Sequence, residues 1–557
     1  MLINAKAVAE RRRLGLFPFS GEVVENGEDP TDEGEWVADA ITPPEPTRYV
    51  APGDGDDSAD GTSPGNAWNT FGKAFSEMGG LSGEQCLGVV NGEYNDIDEA
   101  DGYAIKTQIQ RDPGERLWIR ALDERQAIFN VTNKGFSDFS AARGFNMWGI
   151  VVLGDGSSGG PARIIHCGLT GGTRASHIGH YRMLAAFGPP DRYLFSASVA
   201  EDIEYIECEA YDGYRHMFSN HRTERTTYTR CYANTRGGDN SAFNAYRAND
   251  TILQNCIIDG TGRWASQCED LDWFPGLTSL RTLAYGGMFF GFWSANPNGY
   301  RRSGRHTGSV YKHMLFIDGT RAGAYSESDH GHWINVTFYR CGQSSGRAAA
   351  HIRRFRGDGA TMVRLRNCAF LASPRCAYNE RDSGDIPYEV IREIEHNNYW
   401  GSDASDVWDA GATGGYDLIQ SNVRDSRRLR DVDLRDHVGS NHISSNPFTG
   451  KYGNPDDHGA GHTLVWVPSG NPQKGAGQGG DDIGCEILYR MEATRDGNGH
   501  PVENLTNIPL WNPVTGEFPR GPLVSGVNNI GGGSLFDFHE RIGVSSETLP
   551  DGYGVAE

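Results

Sequence analysis

Lysine is scarce in this 557-residue chain: there are seven, and between Lys134 and Lys451 the only one is Lys312. Acidic residues outnumber basic ones, 73 to 51, for a formal net charge of −22. A phosphate backbone would be repelled by the average surface of such a chain, so no nucleic-acid partner is expected. No stretch approaches the ~20 apolar residues of a membrane span, and no membrane insertion is expected. The opening MLINAKAVAERRRLGLFPFSGEVV holds one short apolar run, Leu14 to Phe19, broken by Pro18. No small-residue cleavage site follows, so the expectation is a protein made and kept in a cytoplasm without a secretion signal. The ten cysteines show neither zinc spacing nor CxxC pairs. Few or no disulfides, no structural metal and no cofactor are expected.

What is present is glycine and repetition. The chain has 74 glycines, about 13% against a typical ~7%, which punctuates it into many short strands. Six segments share one pattern of apolar/polar alternation: IEYIECEAYDG, TTYTRCYANTR, DTILQNCIIDG, SVYKHMLFIDG, VTFYRCGQSSG and VRLRNCAFLAS. Cys208, Cys231 and Cys256 recur at spacings of 23 and 25 residues, and Cys341 and Cys368 at 27. Placing Leu315 at the cysteine position continues the series. Recurrence at this period points to a solenoid in which each coil adds about 4.8 Å and like positions stack in columns. The cysteines then fill an interior column as small apolar side chains.

Residues 1–47 are compositionally separate: basic Arg11 to Arg13, then the acidic, Pro-rich ENGEDPTDEGEWVADAITPPEPT. They read as a tether. In YVAPGDGDDSADGTSPGNAWNTFGKAFSEM, Ser63–Pro64 is expected to start a short helix carrying Trp68, Phe71, Phe75 and Met78 on one stripe. The Asp54, Asp56, Asp57 and Asp60 loop offers oxygen ligands for calcium, but a flexible acidic turn is the preferred reading. The sequence of strand, Asp/Gly/Ser loop, GTSPGNAW and amphipathic helix resembles the start of right-handed parallel β-helix proteins of the pectate-lyase-like class. HNNYWGSD and WVPSGNPQKGAGQGGDDIGCEILYR resemble the late and closing coils of that class, with Asn471 where a serine is usual. The resemblance implies an all-β right-handed parallel β-helix solenoid with an N-terminal capping helix and tether. The expected layout is 1–47 tether, 48–82 first strand and capping helix, 83–490 solenoid, and 491–557 a C-terminal cap or assembly segment.

The 59 residues between Cys256 and Leu315 exceed two coils of about 25, so an aromatic-rich insertion is expected at 264–305. Trp264, Trp273 and Trp293, with Arg301 and Arg302, are the candidate sugar-binding residues, since aromatic faces stack on sugar rings. Asp239, Glu269, Asp270, Asp329 and His330 are the acid/base candidates, because two carboxylates about 5–9 Å apart suit glycosidic hydrolysis. A β-eliminating lyase would instead draw on Lys312 or the arginine pairs. The fold alone does not choose a function. The resemblance to bacteriophage tailspikes and fibres implies a virion protein that binds, and in one version cleaves, host surface polysaccharide. Residues 1–47 would then attach it to other virion proteins, and a homotrimer is expected. The alternatives are a free polysaccharide lyase or glycoside hydrolase, and a purely structural decoration protein.

Overall fold

The computed structural model describes residues 41–99, 101–155, 163–188, 193–213, 216–234, 242–246, 248–259, 282–285, 288–290, 298–304, 309–318, 322–328, 330–342, 349–353, 362–373, 377–380, 393–401, 407–409, 415–416, 443, 445–448, 464–518, 539 and 542–554. The chain divides into two compact units, Met1–Cys231 with Arg520–Asn528, and Tyr232–Pro519 with Asn529–Glu557.

Both units are built from right-handed parallel β-helix coils, so the fold class expected from the sequence is the one observed. In the first unit each coil supplies one strand to each of three parallel sheets. A representative coil runs through Arg143–Trp148, Ile150–Gly154 and Arg163–Thr170 before Thr173–Tyr181 opens the next. Like positions pair in register: Met147 with His180, His180 with Tyr205 and Tyr205 with Tyr228. These side chains stack inward, His180 on Tyr205 at 4.9 Å and Tyr205 on Tyr228 at 5.0 Å between ring centroids. Those spacings are the inter-strand distance itself, so a parallel in-register sheet turns a repeated aromatic into a continuous stack. In the second unit Phe316, Phe338, Phe370 and Tyr399 do the same at 5.0 to 5.2 Å.

Corners are turned by single residues in the left-handed region. Arg182, Glu207 and Arg230 in the first unit, and Asn255, His313, Asn335 and Asn367 in the second, have φ between 49° and 54°. The next residue in each coil points inward. It is Met183, Cys208 or Cys231 in the first unit and Cys256, Met314, Val336 or Cys368 in the second, all buried. The eight described cysteines are buried thiols. Cys208, Cys231 and Cys256 thus hold equivalent interior positions, but two details of the repeat alignment need correction. Ile257 pairs with Met288 and Met288 with Leu315, so Met314, not Leu315, takes the cysteine position. Cys341 belongs to the following corner, after Tyr339, where Ser373 is its counterpart.

The same register corrects the expected insertion. Thr282–Tyr285, Met288–Phe290 and Asn298–Gly304 are strands of the three sheets, so 264–305 contains a complete coil. The long interval reflects coils of 31 and 27 residues at this position.

Near the start, Pro64–Asn66 is one 3₁₀ turn and the α-helix runs Phe71–Met78, capped by the Thr70 hydroxyl accepting from Lys73 N. The helix begins later than the sequence suggests because Trp68 is drawn into a bridge with Val50. Its buried face sets Phe71 against Phe129 and Phe75 against Phe145. The acidic loop before it is ordered. Asp57 accepts from Asn69 N, Thr70 N and the Thr70 hydroxyl, Asp56 from Ser58 N, and Asp60 from Thr62 N. With Glu99 accepting from Phe71 N and Gly72 N at the helix start, these carboxylates are consumed by local backbone.

Residues 464–511 do not form the expected closing coil. They run back along the corner of the second unit: Gln473 meets Asn398, Gln478 meets Arg366 and Asn367, Asp482 meets Asn335, Glu486 meets His313 and Met491 meets Asn255.

Candidate functional site

Of the residues singled out for chemistry, Asp239, Trp264, Glu269, Asp270, Trp273, Trp293 and Asp329 lie outside the described residues. Arg301 and Arg302 fall in the strand Asn298–Gly304 of the third sheet, in register with Tyr325 and Ser326. His330 opens a strand of the first sheet and pairs with Met362. The two arginines and the histidine therefore belong to different sheets. Lys312, the lysine considered for lyase chemistry, is held by Glu503 at 2.9 Å.

A polar cluster that the sequence reading passed over is fully described on the third sheet of the first unit. The register places Lys106, Asp138, His166, Ser196 and Ser219 in one column, with Arg163, Tyr193 and His216 in another. Interior neighbours Phe139, Cys167 and Ala197 are buried, which turns the His166 column to the opposite side of each strand.

His166 is the pivot. Its Nε2 lies 2.7 Å from Arg163 Nη1 and its Nδ1 lies 3.2 Å from the Ser196 carbonyl oxygen. A guanidinium only donates and a carbonyl only accepts, so the ring is the neutral Nδ1–H tautomer, accepting at Nε2. Burial and then the Arg163 charge push its pKa down to about 4, consistent with that neutral form. Glycine at 168 is required here, because a Cβ would stand 2.5 Å from His166 Nε2. Asp138 is engaged by Ser140, whose amide and hydroxyl both donate to it. Lys106 is paired with Asp101 at 2.5 Å, and this bond holds its pKa above the ordinary value.

Arg163 is different. Its guanidinium is fixed by a neutral ring, no carboxylate among the described residues pairs with it, and its enclosed Nε has no partner there. A guanidinium in this state is a pre-oriented, uncompensated cation suited to a carboxylate or another planar anion. Beside it Tyr193 and His216 stack face to face at 5.3 Å, so they present ring edges outward and not a sugar-stacking face. Farther along, Ser198 and His221 approach to 3.4 Å. The cluster sets one oriented cation among neutral donors and acceptors on this flank.

A second charged patch in this unit is closed on itself. Arg225 bonds to Asp202 at 2.7 Å and approaches Glu201 and Glu224 at 3.3 and 3.5 Å. Its cations are matched, and it offers no comparable free charge.

No protein-family model matches the chain, and no curated protein matches it. Several solved structures are similar in strand arrangement at low identity. A PL6-family alginate lyase aligns at 9% identity and a TM-score of 0.43, over 86% of this chain and 58% of that one. The A-module of a mannuronan C-5 epimerase from Azotobacter vinelandii aligns at 10% and 0.40, over 60% and 90%. A pectin methylesterase from Aspergillus niger aligns at 13% and 0.33, over 52% and 87%.

Proposed function

We propose that this protein binds an acidic polysaccharide along the third-sheet flank of its first unit, with Arg163 as the anchor for the sugar acid. The observation that supports this reading is the Arg163 guanidinium, locked by neutral His166 and with no carboxylate partner among the described residues. Coil-to-coil repetition suits a polymeric ligand, because equivalent side chains recur about every 4.8 Å along the axis. The virion assignment belongs to the same proposal: a spike or fibre that grips host surface polysaccharide, assembled as a trimer. What supports that part is the compositional break near residue 47 and the tailspike resemblance.

The test is retention of the purified chain in gels containing a polyuronate, such as alginate or polygalacturonate. Arg163→Ala removes a charged hydrogen-bonding partner worth roughly 1.5–3 kcal/mol, so affinity should fall about tenfold or more. His166→Gln should weaken binding less, because the glutamine side-chain oxygen can still accept from Arg163. Equal binding by wild type and Arg163→Ala would overturn the assignment. In the same mixtures, unsaturated-uronate absorbance would identify a lyase, and shortened chains without it a hydrolase. Binding without either would identify an adhesin, and no binding at all would favour the structural reading. The virion part is tested by deleting residues 1–47: a folded protein that still joins its particle refutes the anchor role.

A further inference from the structure

The core of the first unit holds a polar side chain that no neighbour satisfies. In the third sheet Phe139, Cys167, Ala197 and Asn220 occupy one inward column on successive coils. The first three are ordinary core residues, but the fourth is an asparagine, and it is 0% exposed. Neither its Nδ2 nor its Oδ1 has a hydrogen-bond partner among the described residues. The buried hydroxyls that follow it in the coil, Thr223 and Thr226, bond to each other at 3.2 Å. A carboxamide carries two donors and an acceptor oxygen with two lone pairs, and burying them unpaired forfeits its hydration.

A second unsatisfied group lies against the same wall. Tyr205 is 1% exposed, and its hydroxyl has no partner among the described residues. Its ring stands edge-on to Phe195 and to Phe218, each at 5.8 Å. Those two phenylalanines precede Ala197 and Asn220 by two residues, on the same inward side of their strands. Burial, and then the Cys167 thiol, hold the Tyr205 pKa well above its ordinary value, so hydroxyl and thiol are within electrostatic reach. Cys167 and Asn220 flank Ala197 in the column, one coil to either side. Alanine is the smallest of the four side chains, so the column is thinnest between the thiol and the amide, in the coil that carries Tyr205.

We infer that a structural water is bound inside the first unit beside Ala197, held by the Asn220 amide and the Tyr205 hydroxyl. The chemistry of the site selects water. Both groups are neutral, so a bound ion would be buried without a counter-charge. Both can donate and accept, which suits a molecule that does the same and makes about three hydrogen bonds when buried. Closed coils on every side exclude anything of the size of a sugar. The site is separate from the Arg163 flank, because the Asn220 column faces inward and the His166 column outward.

A crystal structure of the full chain, at a resolution that shows ordered water, tests this directly. A peak within about 2.7–3.2 Å of both an Asn220 side-chain atom and the Tyr205 oxygen is expected, and it should vanish in Asn220→Leu. A dry gap at that place, or an Asn220 rotamer paired with protein groups alone, would overturn the site. Urea unfolding of Tyr205→Phe gives an independent reading. If the hydroxyl holds a water, its removal leaves that water short of a partner, and the unfolding midpoint should fall. A dry, unbonded hydroxyl would instead burden the native state, so a midpoint that rose or held steady would refute the water.

Discussion

The same corner of the coil is satisfied in two ways in the two units. Between the first and second sheets the described corners from Arg182 onward each turn on one left-handed residue, and the side chain at that residue leaves the interior. In the first unit the position carries charge. Arg182 bonds to Glu207 at 2.7 Å and to Glu124 at 3.0 Å, Arg230 bonds to Glu207 at 2.9 Å, and Arg125 bonds to Glu209 at 2.5 Å. In the second unit the position carries Asn or His, and the partner is the backbone of residues 478–491. The Asn367 oxygen accepts from Gln478 N, Asn335 donates to the Asp482 carbonyl, His313 Nδ1 accepts from Glu486 N, and Asn255 accepts from Met491 N. One unit closes its corner with side chains from neighbouring coils, the other with a covering strand of chain. The backbone demand is common, and what fills it depends on whether another segment lies over it.

The largest expected effect comes from breaking the charged ladder. Glu207 is 3% exposed and bridges two arginines. Glu207→Ala leaves both cations buried and short of a partner, which costs about 3–5 kcal/mol. Replacing it by Gln should cost less, since one acceptor oxygen remains. Urea unfolding of the two variants measures this. A loss under about 1 kcal/mol for Glu207→Ala, the range of an exposed pair, would show that the ladder is screened by solvent.

Acid should separate the two corners next. Burial, and then the Lys312 charge, pushes the His313 pKa down to about 3, and its Nδ1 must stay unprotonated to accept from Glu486 N. A histidine depressed in this way binds fewer protons folded than unfolded between about pH 3 and its ordinary value near 6.5. Stability contributed by the neutral ring is therefore intact above about pH 6.5 and declines as pH falls through that window. His166, at about 4, and His180, at about 3, act in the same direction in the first unit. Hydrogen exchange at residues 484–488, taken relative to the intrinsic rate at each pH, should rise in the wild type as pH falls from about 7 to 5. In His313→Asn, which can accept without titrating, that rise should be blunted. Equal acid sensitivity in both would remove His313 from the account.

The neutral corner should yield to substitution by smaller amounts. Asn367→Ala removes the acceptor for Gln478 N and places alanine at a φ of 54°. About 1–3 kcal/mol is expected from the orphaned amide and the strained backbone together. Exchange protection should be lost at residues 477–484, and not at the ladder around Glu207. If Asn367→Ala proved as costly as Glu207→Ala, the contrast between the two corners would fail.

How much of this was legible beforehand follows from range. The solenoid was legible because its signal is local: strand-length alternation and a small residue at a fixed place in IECEA, TRCYA and QNCII. The coil in 264–305 was not, because no cysteine stands directly before Met288 in the sequence to continue the count. The ladder was invisible because Glu207 and Glu209 read as ordinary outward strand positions, while their partners stand 23 to 84 residues away. A charged residue next to the small residue in several coils was the available signal. The Arg163 cluster was missed for the same reason. In RIIHCGLT the histidine looks like a core filler, and only the stacked coil shows Ser196 and Gly168 making room for it. The acid/base candidates were drawn from charge-dense loops, where sequence density is a poor guide to which side chains converge.

The smallest effect tests whether the two units remain equivalent inside even as they differ outside. Cys208 and Cys368 follow their corner residues in the same way, each fully buried, with sulfur donating to a carbonyl of the preceding coil: His180 at 3.2 Å and Trp333 at 3.6 Å. Neither position depends on what covers the corner, so Cys208→Ala and Cys368→Ala should each cost about 1 kcal/mol, the loss of one heavy atom and a small void. Burial pushes the Cys368 thiol up to about 12, which keeps it a packed thiol and not a thiolate. Native-state alkylation should therefore be slow at both sites and speed up only as the protein unfolds. If one alanine variant cost several times the other, the interior column would be responding to the corner chemistry, and the separation of a common core from a unit-specific corner would have to be abandoned.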